Sequence, residues 1–96
     1  MFEWDAGKAA RNVRKHLVSF EEAVTVFADP DALDGPDLKH SDLEARFLRL
    51  GRSLTNRVLI VAYTIRGPED DEKIRIITAR RASRKERAAY AGPSAN

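Results

Sequence analysis

The stretch Val58-Leu59-Ile60-Val61-Ala62-Tyr63-Thr64-Ile65 constrains this chain most: it is uncharged, rich in β-branched residues, and apolar at both odd and even positions. A strand with one wet face would alternate, so a run apolar on both faces predicts a strand covered on both sides, in the middle of a sheet. We place it over Arg57 to Arg66. The polar segment Gly67-Pro68-Glu69-Asp70-Asp71-Glu72 then turns the chain, and the isoleucine-rich Lys73 to Arg80 returns, which predicts an antiparallel hairpin. A chain of 96 residues has room for one core, so the whole sequence, 1–96, reads as a single domain built on this hairpin.

Helix signals flank it. Asp5 is an N-cap for an alanine-rich helix through His16, with Ala6, Ala9, Ala10, Val13 and Leu17 on one apolar face at about 100° per residue. Lys8, Arg11 and Lys15 fall opposite. Ser19 and Glu22 have the spacing of a capping box, opening a second helix that presents Phe20, Ala23, Val24 and Phe27 to the core and ends at Asp29-Pro30-Asp31. Ala32 to Leu43 has no period and holds Gly35 and Pro36, so only a short edge strand and a turn are expected there. Ser41 and Glu44 repeat the box spacing, but strand-like Phe47-Leu48-Arg49-Leu50 follows too soon for more than a turn. Ser83 and Glu86 form a third box, opening a last helix that Gly92-Pro93 stops, with residues 91–96 a loose tail. The expected fold is α+β: a short extended start, two N-terminal helices, an antiparallel sheet of three to four strands, and one C-terminal helix.

Composition removes several chemistries. The absence of cysteine excludes a disulfide scaffold, a thiolate zinc site, an iron–sulfur cluster and a cysteine nucleophile. No glycine-rich phosphate or dinucleotide loop and no Gly-x-Ser-x-Gly elbow is present. No run approaches the about 18 apolar residues of a membrane helix, and Met1 to Asp5 does not open a secretory signal, so a cytoplasmic location without membrane contact is expected. Charge is split along the chain. Residues 1–48 carry ten acids against six bases, whereas residues 49–96 carry eleven bases against five acids, so the second half seeks anions and the first suits a basic protein partner.

The candidate chemistry follows that split. Arg80-Arg81-Ala82-Ser83-Arg84-Lys85-Glu86-Arg87 concentrates positive charge around a helix start, where backbone amides also favour anions. A helical period aligns Ser83, Glu86, Arg87 and Tyr90, offering a guanidinium clamp, a carboxylate and a phenol; the same groups also serve as cap, ion pair and packing. Lys8, Lys15 and His16 form a second cluster able to hold phosphate and move a proton, or simply a solvated helix face. Trp4 is read as a core plug rather than a base-stacking platform. Asp37-Leu38-Lys39-His40 resembles half a metal site, but two histidines and no cysteine leave a transition metal short of donors, so neither a metal nor a cofactor is expected.

Several strings in combination resemble the BrnT family, toxins of type II toxin–antitoxin systems with a RelE-like fold. They are Phe2-Glu3-Trp4-Asp5 with Lys8-Ala9, Asn12 with Lys15-His16, Val18 to Ala23, and Val26 to Pro30. They continue in His40-Ser41, Glu44 with Arg46-Phe47, Gly51-Arg52, and Arg75-Ile76-Ile77 leading into Ala79-Arg80-Arg81-Ala82. Ser83, Arg84, Glu86, Arg87 and Tyr90 close the pattern, which spans residues 2–90. Three positions depart from it: Ala6 stands for a usual proline, Leu17 for a frequent glycine, and Ile65 for a common acid. Leu17 matters most, because a non-glycine residue resists the left-handed conformation that a glycine there would adopt.

The resemblance implies a metal-independent ribonuclease that cuts RNA and arrests growth. It implies neutralisation in a hetero-oligomer by a BrnA-like ribbon-helix-helix antitoxin, with operator DNA bound only through that antitoxin. Metal independence is chemically sensible, since RNA carries its own nucleophile in the 2′-hydroxyl. Carried over to this sequence, Arg80 and Arg81 are the first candidates for stabilising the phosphoryl group, and Glu86, Tyr90 and His16 are candidate proton carriers. Lys8, Lys15, Arg84, Lys85 and Arg87 are candidate RNA contacts. The alternative is a noncatalytic RNA- or protein-binding module of the same fold.

Overall fold

A computed structural model describes residues 1–41 and 43–92. The sheet orders as β1 (Phe2–Glu3), β5 (Lys73–Arg81), β4 (Val58–Arg66), β3 (Phe47–Arg52) and β2 (Leu33–Pro36). β4 is the central strand, as its two-sided apolar run requires. Leu59, Val61 and Tyr63 point toward the N-terminal helices, while Val58, Ile60 and Ala62 point the other way. The hairpin expected between β4 and β5 is present, with a register irregularity at Ala62/Tyr63.

The sheet corrects the expected one in size and kind. It has five strands and is mixed, because β1 pairs parallel to β5 through Phe2↔Ile74 and Glu3↔Arg75. Two residues are too short to show a period, and this strand is fixed by partners at the far end of the chain, including the Arg75–Glu3 ion pair at 2.9 Å. β2 is the short edge strand expected after Ala32, antiparallel to β3.

α1 (Ala6–His16) is capped by Asp5, whose carboxylate accepts from the Lys8 amide at 2.8 Å. Its buried face is not the apolar stripe. Asn12 is buried while Val13 and Leu17 are 43% and 66% exposed. α1 packs on the upper half of β5 beyond the reach of β1, where the exposed strand edge demands hydrogen bonds rather than hydrocarbon. Asn12 supplies them: its amide donates to the Ala79 carbonyl at 2.7 Å and to the Val18 carbonyl at 2.9 Å, and its oxygen accepts from the Ala79 N–H at 3.1 Å.

α2 (Phe20–Thr25) runs into a 3-10 turn at Val26–Ala28 and buries Phe20, Ala23 and Val26 against Leu59, Val61 and Ile76. Trp4 packs edge-on to Phe20, with centroids 6.0 Å apart, so it serves the core. The expected capping box at Ser19 is half formed. Ser19 accepts from the Glu22 amide at 3.0 Å, but the Glu22 carboxylate turns instead to Ser53, Thr55 and Arg57 of the β3–β4 turn. Gly51 lets the 3-10 turn cross β3 closely, since a Cβ there would stand a tight 3.2 Å from that of Val26 and 3.1 Å from that of Ala32. α3 (Arg84–Ala91) lies on the opposite face, over Leu50, Val58 and Ala82. Gly92 closes α3 at φ 78°; residues 93–96, including the expected stop at Pro93 and most of the expected tail, lie outside the described residues. Among the described residues no helix is long and apolar enough to cross a membrane.

Candidate functional site

Residues two apart on a strand share a face, so Leu48, Ile60, Ala62 and Thr78 form a floor on the side of the sheet away from α2, bordered at the β5 edge by α1. Arg80 rises from the same face of β5 at one side, and the loop after β2 closes the other, leaving a cleft of about 530 Å³. That loop is tied to the start of β3. The Asp37 N–H donates to the Arg46 carbonyl at 2.8 Å, and Ser41 Oγ donates to the Asp37 carbonyl at 2.7 Å while accepting from the Arg46 N–H at 3.1 Å. Asp37 is buried, and its carboxylate stands 3.1 and 3.2 Å from His40 Nδ1. An ionised carboxylate only accepts, so Nδ1 carries the proton and Nε2 is the nitrogen open to a substrate.

Arg80 is held by a two-pronged contact: its guanidinium nitrogens donate to the two Glu86 oxygens at 2.7 and 2.8 Å. Glu86 also accepts from the Ser83 N–H at 2.7 Å and completes the capping box of α3. The Arg80 guanidinium, with the Ser83 contacts, holds the Glu86 carboxyl down at about 2. At neutral pH Glu86 is therefore a fixed anion that aims Arg80, and a weak proton acceptor.

The strand separates the adjacent arginines that the sequence presents as a pair. Arg80 lines the cleft, whereas Arg81 lines a second cavity of about 380 Å³ beyond α3 with Arg52, Arg57, Arg87 and Tyr90. The helical stripe divides likewise. The Tyr90 hydroxyl donates to Asp29 Oδ2 at 2.6 Å, an interaction that raises its pKa, and its ring lies beneath the Arg52 guanidinium at 5.5 Å. Arg87 donates to the Ala82 carbonyl at 2.9 Å. Arg84 and Lys85 are exposed on α3.

α1 adds the remaining wall. With Asn12 bound to the β5 edge, Lys8, Lys15 and His16 overlook a hollow of about 350 Å³ floored by Arg46, Ile77 and Thr78. Those three floor residues also line the first cleft, so the two hollows adjoin across them, and the two together are called the groove. Lys8, Lys15 and His16 thus share a surface with Arg80, while Arg81, Arg87 and Tyr90 do not. Among the described residues Lys8, Lys15 and Arg46 make no ion pair, unlike Arg49, Arg57, Arg66, Arg75 and Arg80. The groove is a mainly cationic channel with a partly apolar floor, in which Lys8, Lys15 and Arg46 are cations without an ion pair among the described residues.

Of two further wall residues, Arg46 is not among the sequence candidates, and His40 is weighed in the sequence only as half a metal site with Asp37. Their signal was present, since both lie in the family-like strings, and Asp37 precedes His40 by the three residues that let the side chains meet. What was missing was the loop geometry that turns them toward Arg80.

The family model described as the ribonuclease toxin BrnT of type II toxin–antitoxin systems matches residues 4–86. This chain belongs to the BrnT family. The BrnT fold is also seen by direct comparison: a 1.1 Å crystal structure of the Brucella abortus ribonuclease toxin BrnT superposes with a TM-score of 0.66 at 23% identity, covering 88% of this chain and 99% of that one. No curated protein matches the chain. As a BrnT-family ribonuclease toxin, the chain has RNA as its target class and an antitoxin as its partner class.

Proposed function

We propose that the chain is a metal-independent endoribonuclease that acts in the cytoplasm by driving the RNA 2′-hydroxyl onto the adjacent phosphorus, with the groove as its active site. The observation that carries this reading is the convergence of Lys8, Lys15, His16, Arg46 and Arg80 along one channel. Unpaired lysines and Arg46 suit successive backbone phosphates, whose counterions they would displace. Arg80, preset by Glu86, suits the phosphoryl oxygens on which charge builds, and a preset donor costs no reorganisation as the reaction proceeds. Glu86 is a positioning residue here. Arg81, Arg84, Lys85 and Arg87 hold flanking RNA, and Tyr90 anchors α3. RNA carries its own nucleophile in the 2′-hydroxyl, so the groove's task is to position the chain, stabilise charge on the phosphoryl group and move protons. The partner that silences the toxin is a BrnA-like ribbon-helix-helix antitoxin, which forms a hetero-oligomer with it and alone contacts operator DNA.

The test is a defined RNA incubated with the purified chain in excess chelator, alongside Arg80→Ala and Arg81→Ala. Expected are 2′,3′-cyclic phosphate and 5′-hydroxyl ends, a loss of about 100-fold or more for Arg80→Ala, and near-normal chemistry for Arg81→Ala. Absence of cleavage with and without ribosomes, or its abolition by chelator, would overturn the proposal.

A further inference from the structure

Cleavage by an internal hydroxyl needs a group that removes the 2′ proton and a group that supplies a proton to the departing 5′ oxygen. The groups first in line from sequence are poorly set for either role, because Glu86 is committed to Arg80 and Ser83, and Tyr90 to Asp29 across α3. The chain has two histidines. They come from different elements, α1 and the β2–β3 loop, yet they line the groove on either side of its shared floor of Arg46, Ile77 and Thr78.

We propose that His40 and His16 are the acid–base pair of the ribonuclease, His40 as the base oriented by Asp37 and His16 as the acid. This deepens the ribonuclease reading and rests on it. His40 Nε2 takes the 2′-hydroxyl proton as the 2′ oxygen bonds to phosphorus. The bond from phosphorus to the 5′ oxygen breaks, and that oxygen keeps the electron pair and takes a proton from the His16 imidazolium. The products are a 2′,3′-cyclic phosphate and a 5′-hydroxyl, and the two imidazoles return to their starting states by exchange with water.

The assignment of roles comes from the neighbours. Asp37, buried and bonded to Nδ1, fixes the ring and stands beside the positive charge that His40 acquires on taking a proton. His40 is otherwise faced by Lys39, Glu44 and Arg46, with Arg80 across the cleft. His16 has no carboxylate partner among the described residues; the charged groups lining its hollow are Lys8, Arg11, Lys15 and Arg46. Asp37 is a positioning residue, acting through His40.

The experiment compares the wild-type chain, His16→Gln and His40→Gln on a short RNA and on uridine 3′-(4-nitrophenyl phosphate), whose nitrophenolate leaves without a proton. His16→Gln is expected to lose about 100-fold on RNA and stay within a few-fold of wild type on the activated ester. His40→Gln is expected to lose about 100-fold on both. A kcat/KM on RNA that rises and then falls with pH is expected in the wild type, with the acidic limb absent in His40→Gln and the alkaline limb absent in His16→Gln. Asp37→Asn lowers both substrates about tenfold, and its residual rate keeps the acidic limb. Wild-type cleavage with either glutamine variant at full RNA activity, or with both substrates equally impaired in His16→Gln, overturns the pair and leaves the ribonuclease reading standing. Failure of the wild type on both substrates and on ribosome-bound RNA overturns the ribonuclease reading and the pair with it. Matched thermal melts confirm that the glutamine variants are folded.

Discussion

Leu17 ends α1 in the left-handed region, at φ 59° and ψ 34°, with its N–H bonded to the Val13 carbonyl at 2.9 Å. The turn that a glycine would make freely is therefore kept, with a leucine in it. Because the side chain is 66% exposed, little packing offsets the strain. Leu17→Gly is expected to raise stability by about 0.5–1 kcal/mol, net of the extra freedom glycine gives the unfolded chain, read as a higher midpoint in urea. Glu86 carries the opposite balance. Glu86→Gln keeps an acceptor for the Ser83 amide but removes the anion that presets Arg80, so cleavage should fall about 10- to 100-fold while RNA affinity holds or rises. Weakening the cap should cost about 1 kcal/mol, leaving the fold intact in a melting experiment. Full activity in that variant would exclude a role for the Arg80–Glu86 contact, and activity lost only in step with folding would reduce Glu86 to a cap.

At the scale of elements, what the sequence revealed and what it hid divide along a physical line. β4 was legible because two-sided burial leaves an unbroken apolar run, and α3 because a capping box is local: both halves lie within four residues. Glu22 shows the limit. Its spacing from Ser19 is right, but a carboxylate reaches the partner that binds it best, and Arg57, thirty-five residues away, outcompetes the Ser19 amide. α1 misleads for a related reason. Periodicity locates hydrocarbon, whereas the surface this helix must cover is the polar edge of a strand, so one asparagine outweighs the stripe of Ala6, Ala10, Val13 and Leu17. Asn12→Ala would strand the Ala79 N–H and two carbonyls away from water and should destabilise by about 3 kcal/mol. Release of α1 also moves Lys8, Lys15 and His16 off the groove, so RNA cleavage should fall further than stability alone predicts at temperatures where the chain remains folded. The groove itself was half legible. Its residue types were visible, but their assembly depends on which way Arg80 and Arg81 point from one strand and on a loop without a period.

Across the whole molecule, acid sensitivity concentrates in two carboxylates that join distant segments. Glu22 ties α2 to the β3–β4 turn and is held at about 2, chiefly by Arg57 with help from Ser53 and Thr55; Glu86 ties α3 to β5 and is held at about 2 by Arg80. Both lie below their ordinary value of 4.5, so the unfolded chain binds these protons more readily than the folded one. Their contribution is complete above pH 4.5 and is lost as pH falls from 4.5 toward 2. Glu22 is the better buried of the two, with a side chain 12% exposed against 30%, and should contribute the larger share. Glu22→Gln is expected to cost about 2 kcal/mol at neutral pH and to flatten the decline between pH 4.5 and 2, because the group that titrates there has gone. Chemical denaturation at a series of pH values measures both effects. A variant that loses stability at neutral pH yet declines with acid as steeply as wild type would assign the pH dependence elsewhere. The same titration bears on activity, since the Arg80 preset weakens once Glu86 is protonated while the Asn12 contact holding α1 against β5 does not titrate.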